Sequence, residues 1–144
     1  MAPKALLAAL SAAVMLVPVA CAQPSPRNVG DDPVVRQVFD WPTNVPGKSL
    51  ISVTVSYPPG TKSMAHRHAK SAFIMAYVIS GAIRSQVEGR PSRVYHAGET
   101  WYEDPGAHHT IGENASATEP AELLAVFLVD TGDGPLTTDH ATTQ

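Results

Sequence analysis

The segment Leu50–Tyr57 reads LISVTVSY, with Ile51, Val53 and Val55 alternating against Ser52, Thr54 and Ser56. Successive residues of a strand face opposite sides, so this period of two predicts a half-buried strand. The same short rhythm recurs along the chain. MAYVIS and AIRSQVEG flank Gly81 and predict two strands joined through a tight turn. SRVYHAGETWYEDPGAHH predicts two more strands around Ala97 and Gly98, and VVRQVFDW (34–41) an early edge strand. AELLAVFLV (121–129) is apolar without a break, which predicts a strand buried on both faces. No stretch carries an amphipathic helix with caps, because thirteen prolines and ten glycines punctuate the chain too closely. Seven or eight short strands in about 100 residues imply an all-β sandwich or barrel.

The ends of the chain read differently. Residues 1–22, MAPKALLAALSAAVMLVPVACA, hold one lysine, an apolar stretch and a small-residue Ala-Cys-Ala site. That is the pattern of a secretory signal peptide, and its apolar core falls short of the roughly 20 residues that span a bilayer. Export to the periplasm or the medium is expected, with no transmembrane segment once the signal is cleaved. Cys21 is the only cysteine. Cleavage after Ala22 discards it; a lipid anchor on Cys21 is the minor alternative. Either way no disulfide can form within the chain, so stability must come from a packed core. Residues 23–33, QPSPRNVGDDP, read as a flexible lead-in, residues 34–130 as the folded domain, and residues 131–144 as a loose C-terminal tail.

Lys4 is the only charge in residues 1–22, so removing them takes the formal balance from −3 to −4. A weakly acidic domain without basic clusters is a poor candidate for binding nucleic acid or anionic membrane. A small-molecule partner is expected instead.

The chemistry-bearing residues lie in two places. In GTKSMAHRH (60–68), His66 and His68 sit two apart and project from one strand face. In GETWYEDPGAHHT (98–110), Gly106 supplies a tight turn just ahead of His108 and His109. Three neutral imidazoles make a borderline-soft site suited to Fe, Zn, Cu, Ni or Co. His96 and His140 read as surface residues.

These two segments resemble the paired motifs of the cupin superfamily. Gly60, five residues, His66, one residue, His68 matches the first motif, and Tyr77 to Gly81 looks like its closing strand and turn. Gly98 to His109 resembles the second, with Asn114 near its trailing asparagine. The resemblance, over about residues 46–130, implies a double-stranded β-helix (jelly-roll) barrel holding a divalent transition metal (Fe, Mn, Zn, Ni or Cu). The implied ligands are His66, His68 and His109, with His108 facing away. The first motif's usual glutamate is missing, since Ala72, Phe73 and Ile74 occupy its region; Gln86 and Glu103 are the candidates to replace it. Ile74, Val78, Trp101, Tyr102 and Phe127 are the candidates to line the pocket. The resulting expectation is a mononuclear metal-dependent oxygenase acting on a small organic substrate, with no catalytic residue assigned. The alternative is a non-catalytic small-molecule or metal-binding module of the cell envelope. The resemblance also implies a homodimer.

Overall fold

The computed structural model describes residues 32–139, so the expected signal peptide, Cys21, most of the lead-in and His140 lie outside the described residues. Eleven strands follow one another: β1 (Val34–Pro42), β2 (Lys48–Tyr57), β3 (Lys62–Ser63), β4 (His66–His68), β5 (Phe73–Ser80), β6 (Ala82–Val87), β7 (Arg93–His96), β8 (Thr100–Glu103), β9 (His108–Asn114), β10 (Ala121–Asp130) and β11 (Thr137–Asp139). They form two antiparallel sheets, one ordered β1-β2-β10-β5-β8 and the other β11-β4-β9-β6-β7, with β3 added beside β9. The expected all-β jelly roll is what the chain adopts. No helix among the described residues is long and apolar enough to cross a membrane.

The core forms where the two sheets face each other. Val53, Val55, Ile74, Leu123 and Phe127 project from the first sheet toward Ile83 of the second. Ile74, Val78, Ile83 and Val129 are the largest fully buried side chains, and trimming any of them to Ala would cost about 2–5 kcal/mol. Asn114 is buried and ties three backbone carbonyls together, its amide donating to Tyr57 at the end of β2 and to Pro58 and Glu119 in loops.

Three expectations need correction. The strands on either side of Gly81 do not pair as a hairpin; β5 belongs to the first sheet and β6 to the second. Gly81 carries the chain across with φ of 70°, where an added Cβ would lie 2.6 Å from the Pro120 carbonyl oxygen. Only glycine fits that crossing. Next, β10 buries one face and leaves the other half-exposed, rather than burying both. Its outward Leu124, Val126 and Leu128 are apolar yet lie on the outside of the sheet. Finally, the expected tail is partly ordered, because β11 pairs with β4 and Asp133 accepts hydrogen bonds from the Ser71 amide and hydroxyl.

Candidate metal centre

β4 and β9 lie side by side with His66 directly opposite His109. Cross-strand partners point the same way, and alternation along β4 adds His68 to that face. The three rings therefore converge from two strands, with centroids 4.8 Å (His66–His68), 5.1 Å (His66–His109) and 6.0 Å (His68–His109) apart. One nitrogen from each ring lies within 4.8 Å of the others. On the opposite face of the same strands, Arg67 and His108 point outward toward Glu88. His108 is therefore not part of the cluster.

Glu103 completes the group. On β8, Trp101 and Glu103 face inward while Thr100 and Tyr102 face out. The Glu103 side chain is 3% exposed, with Oε2 3.0 Å from His68 Nε2 and Oε1 3.7 Å from His109 Nδ1. The Trp101 indole N–H donates to Glu103 Oε1 at 3.1 Å. Burial alone would raise the Glu103 carboxyl, but the adjacent His68 ring, the charge of His109 and the Trp101 N–H outweigh it and bring it down to about 2. Burial pushes the His109 imidazole down to about 4, against the pull of Glu103. Burial also lowers His66, although the Met64 carbonyl works in the other direction. Near neutral pH the group therefore presents an ionised carboxylate and neutral His66 and His109 rings, the protonation a cation requires.

The hydrogen bonds around the rings settle which atoms face inward. His66 Nδ1 is bound at 2.7 Å to the Met64 carbonyl, which leaves Nε2 as its free lone pair. His109 Nε2 pairs with the Ser85 hydroxyl at 2.9 Å, and its Nδ1 faces Glu103. Gly112 makes room for that ring, since a Cβ there would stand 3.1 Å from His109 Cε1. Both ring nitrogens of His68 and Oε2 of Glu103 are buried without a hydrogen-bond partner. His68 Nε2 and Glu103 Oε2 approach to 3.0 Å without the alignment of a hydrogen bond. Buried polar atoms left unsatisfied are costly. A divalent cation between them would satisfy both, so the residues present fit a metal.

The group stands at one wall of a cavity of about 230 Å³. Of the residues named from the sequence, Ile74, Trp101 and Phe127 line it. Two expected lining residues do not. Val78 points inward but is packed into the core with no exposed surface, and Tyr102 is half-exposed on the outer face, stacked on Phe73 beneath the Arg90 guanidinium. Adjacent strand positions cannot both face inward, so Trp101 excludes Tyr102. Of the two candidate replacements for the missing glutamate, only Glu103 reaches the histidines; the Gln86 amide instead donates to the Arg90 carbonyl. Unforeseen from the sequence are Tyr57, whose hydroxyl pairs with Ser63, and Leu136, Thr137 and Asp139 from the last described segment.

Several solved structures share this fold. A solved oxalate oxidase structure is similar with a TM-score of 0.61 and 26% identity, covering 76% of this chain and 56% of that one. The DMSP lyase DddQ from Ruegeria pomeroyi DSS-3 matches with a TM-score of 0.56 and 19% identity, over 66% of this chain and 45% of its own. An uncharacterized double-stranded β-helix protein from Klebsiella pneumoniae matches at 0.59 and 19%, over 75% and 85%. This chain thus spans about half the length of the oxidase and lyase chains. No curated protein sequence matches significantly. The family model described as a cupin domain matches residues 53–127, more than half of the sequence. With the jelly roll and the converging histidines already in place, that match makes the chain a member of the cupin superfamily.

Proposed function

We propose that the protein is a mononuclear metal-dependent oxidoreductase of the oxygenase type, acting on a small organic substrate. The observation that carries this reading is the convergence of three imidazoles and a buried carboxylate with unsatisfied lone pairs at the wall of a cavity. His66, His68, His109 and Glu103 would hold a divalent transition metal such as Fe, Mn, Zn, Ni or Cu. Such an ion supplies Lewis acidity and, if redox-active, a route for electrons between an organic substrate and O₂. The likeness to an oxalate oxidase at 26% identity supports an oxidative reaction.

The chain's own contribution is orientation and exclusion of water. The Met64 carbonyl fixes the His66 tautomer, and the Trp101 N–H holds the Glu103 carboxylate against β4. Val53, Val55, Ile74, Ala125 and Phe127 form an apolar wall that positions a substrate body and keeps bulk water from the reacting centre.

Metal content of the purified protein, followed by oxygen uptake with phenols, thiols and diketones, tests the proposal. Stoichiometric metal with oxygen uptake supports it. Metal with no uptake across the panel would favour a non-catalytic binding module instead.

Two further features belong to this proposal. Export to the periplasm or medium rests on the sequence of residues 1–22. A homodimer is supported by the outer face of the first sheet, where Trp41, Leu50, Leu128 and Phe73 run side by side across four strands and Met75 pairs with Tyr102 below them. Trp41, Phe73, Met75, Tyr102 and Leu128 are all exposed there.

A further inference from the structure

The cavity beside the metal centre has a one-sided chemistry. Its wall is mainly apolar, and no Lys or Arg lines it among the described residues. Besides the three imidazoles, its ionised side chains are acidic: Glu103 at the centre and Asp139 at the exposed rim. Tyr57 also lines it, but burial raises its phenol above the ordinary value, so it is neutral. Several of the domain's cations are held elsewhere, Arg67 by Glu88, Arg84 by Glu113, Arg90 by Asp104, Arg93 by Glu99 and Lys48 by Asp130.

Charge counting then limits what can enter. A divalent ion beside ionised Glu103 leaves one net positive charge in a poorly solvated space. One anionic donor atom cancels it. A second anionic group would have no cation to meet and would be pushed toward the apolar wall or toward Asp139, and a bare charge in such surroundings is costly. The volume of about 230 Å³ is also below the roughly 300–1,000 Å³ of sites for drug-sized ligands.

Resting on the metal-centre reading above, we infer that the cavity selects small ligands with one ionisable donor on an apolar body and discriminates against dianions of the same size. Phenols, thiols, enolisable diketones and apolar monocarboxylic acids fall inside this class; dicarboxylates fall outside it.

Matched probes test this with the full-length metal-loaded protein. Pentanoate against glutarate, and benzoate against terephthalate, differ chiefly in the second carboxylate. Binding is read by titration calorimetry of the zinc-loaded form and by the visible spectrum of the cobalt-loaded form, with metal content measured before and after. The expected result is at least about 10-fold tighter binding of each monoanion, equivalent to about 1.4 kcal/mol. Val35 lies at the rim and is 64% exposed, so Val35→Arg adds a cation without burying it. That variant is expected to narrow the preference several-fold. Dianions bound as tightly as their monoanion partners by a fully metallated protein would overturn the selectivity and leave the metal centre standing. A protein that retains no metal would overturn both.

Discussion

The carboxylate of Glu103 stands 3.0 Å from Nε2 of His68, an acid from one sheet meeting an imidazole from the other. The position where the first motif would have its glutamate falls near Ala72, which is fully buried in the core. The negative charge lost from that segment reappears opposite it, on β8. Glu103→Gln keeps the shape and removes the charge, and is expected to weaken zinc binding about 10–100-fold. Competition with a chromophoric chelator measures it. Trp101→Phe, which removes the supporting N–H together with part of the ring packed against Tyr95, should give a smaller loss in the same assay.

His66→Ala, His68→Ala and His109→Ala should each strip the protein of metal after dialysis, because each removes one of only a few donor atoms. His108→Ala should retain it, since His108 faces Glu88 on the outside. Elemental analysis of the four variants distinguishes these outcomes, with thermal melting as a check on folding. Metal lost in His108→Ala and kept in His109→Ala would contradict the arrangement described.

Acid should loosen the metal-free protein in two stages. His109 titrates at about 4 in the fold against an ordinary value of 6.5. Between those values the unfolded chain takes up a proton that the folded chain refuses, so stability falls as pH drops from 6.5 to 4. The full effect is at most on the order of 3 kcal/mol. Glu103, held at about 2 against 4.5, adds a second loss as pH falls from 4.5 toward 2. Melting temperatures across this range should fall steadily, and His109→Gln should flatten the upper stage. Metal retention should decline as pH falls toward and below about 4, where protons compete for the folded His109 imidazole.

Two glycines should separate stability from metal binding. Gly81→Ala forces a Cβ to 2.6 Å from the Pro120 carbonyl and strains a positive φ, which should cost about 1–3 kcal/mol and lower the melting temperature. Gly112→Ala, with its Cβ 3.1 Å from the His109 ring, should displace that ring and weaken zinc binding more than it lowers melting.

Met75→Glu places a charge in the middle of the exposed apolar face and should convert a dimer to a monomer in light scattering. Ser56→Glu, at an exposed polar position of the same sheet, should leave the association state unchanged.

Much of this was legible in the sequence, for a local reason. Alternation within a strand is a property of neighbouring residues, so the shared face of His66 and His68 follows from their spacing alone. The choice of His109 over His108 needed the glycine offset of the second motif, and the pairing with His66 agrees with it. Glu103 stayed level with Gln86 because a strand's two faces look alike until one residue is anchored. Trp101 was the available anchor: placing its ring in the core puts Glu103 inside and Tyr102 outside. Which strands share a sheet is a long-range matter, and nothing in the residues around Gly81 marks a crossing as opposed to a hairpin. The unbroken apolar run of β10 suggested burial on both faces, but an outer face that is apolar and half-exposed gives the same string of letters. The order of β11 depends on Asp133 reaching Ser71, a contact between distant segments that no local pattern announces.

The pairing of Thr137–Asp139 with the strand that bears His66 and His68 makes this late segment a seam in the wall of the cavity. Leu136 and Thr137 sit in that wall. Shortening the chain at Asp133 would leave two of the three imidazoles on a bare rim, open to the solvent on one flank. A fusion at that terminus pulls on the same seam, so the side of the molecule chosen for a tag bears directly on how tightly the ion is kept.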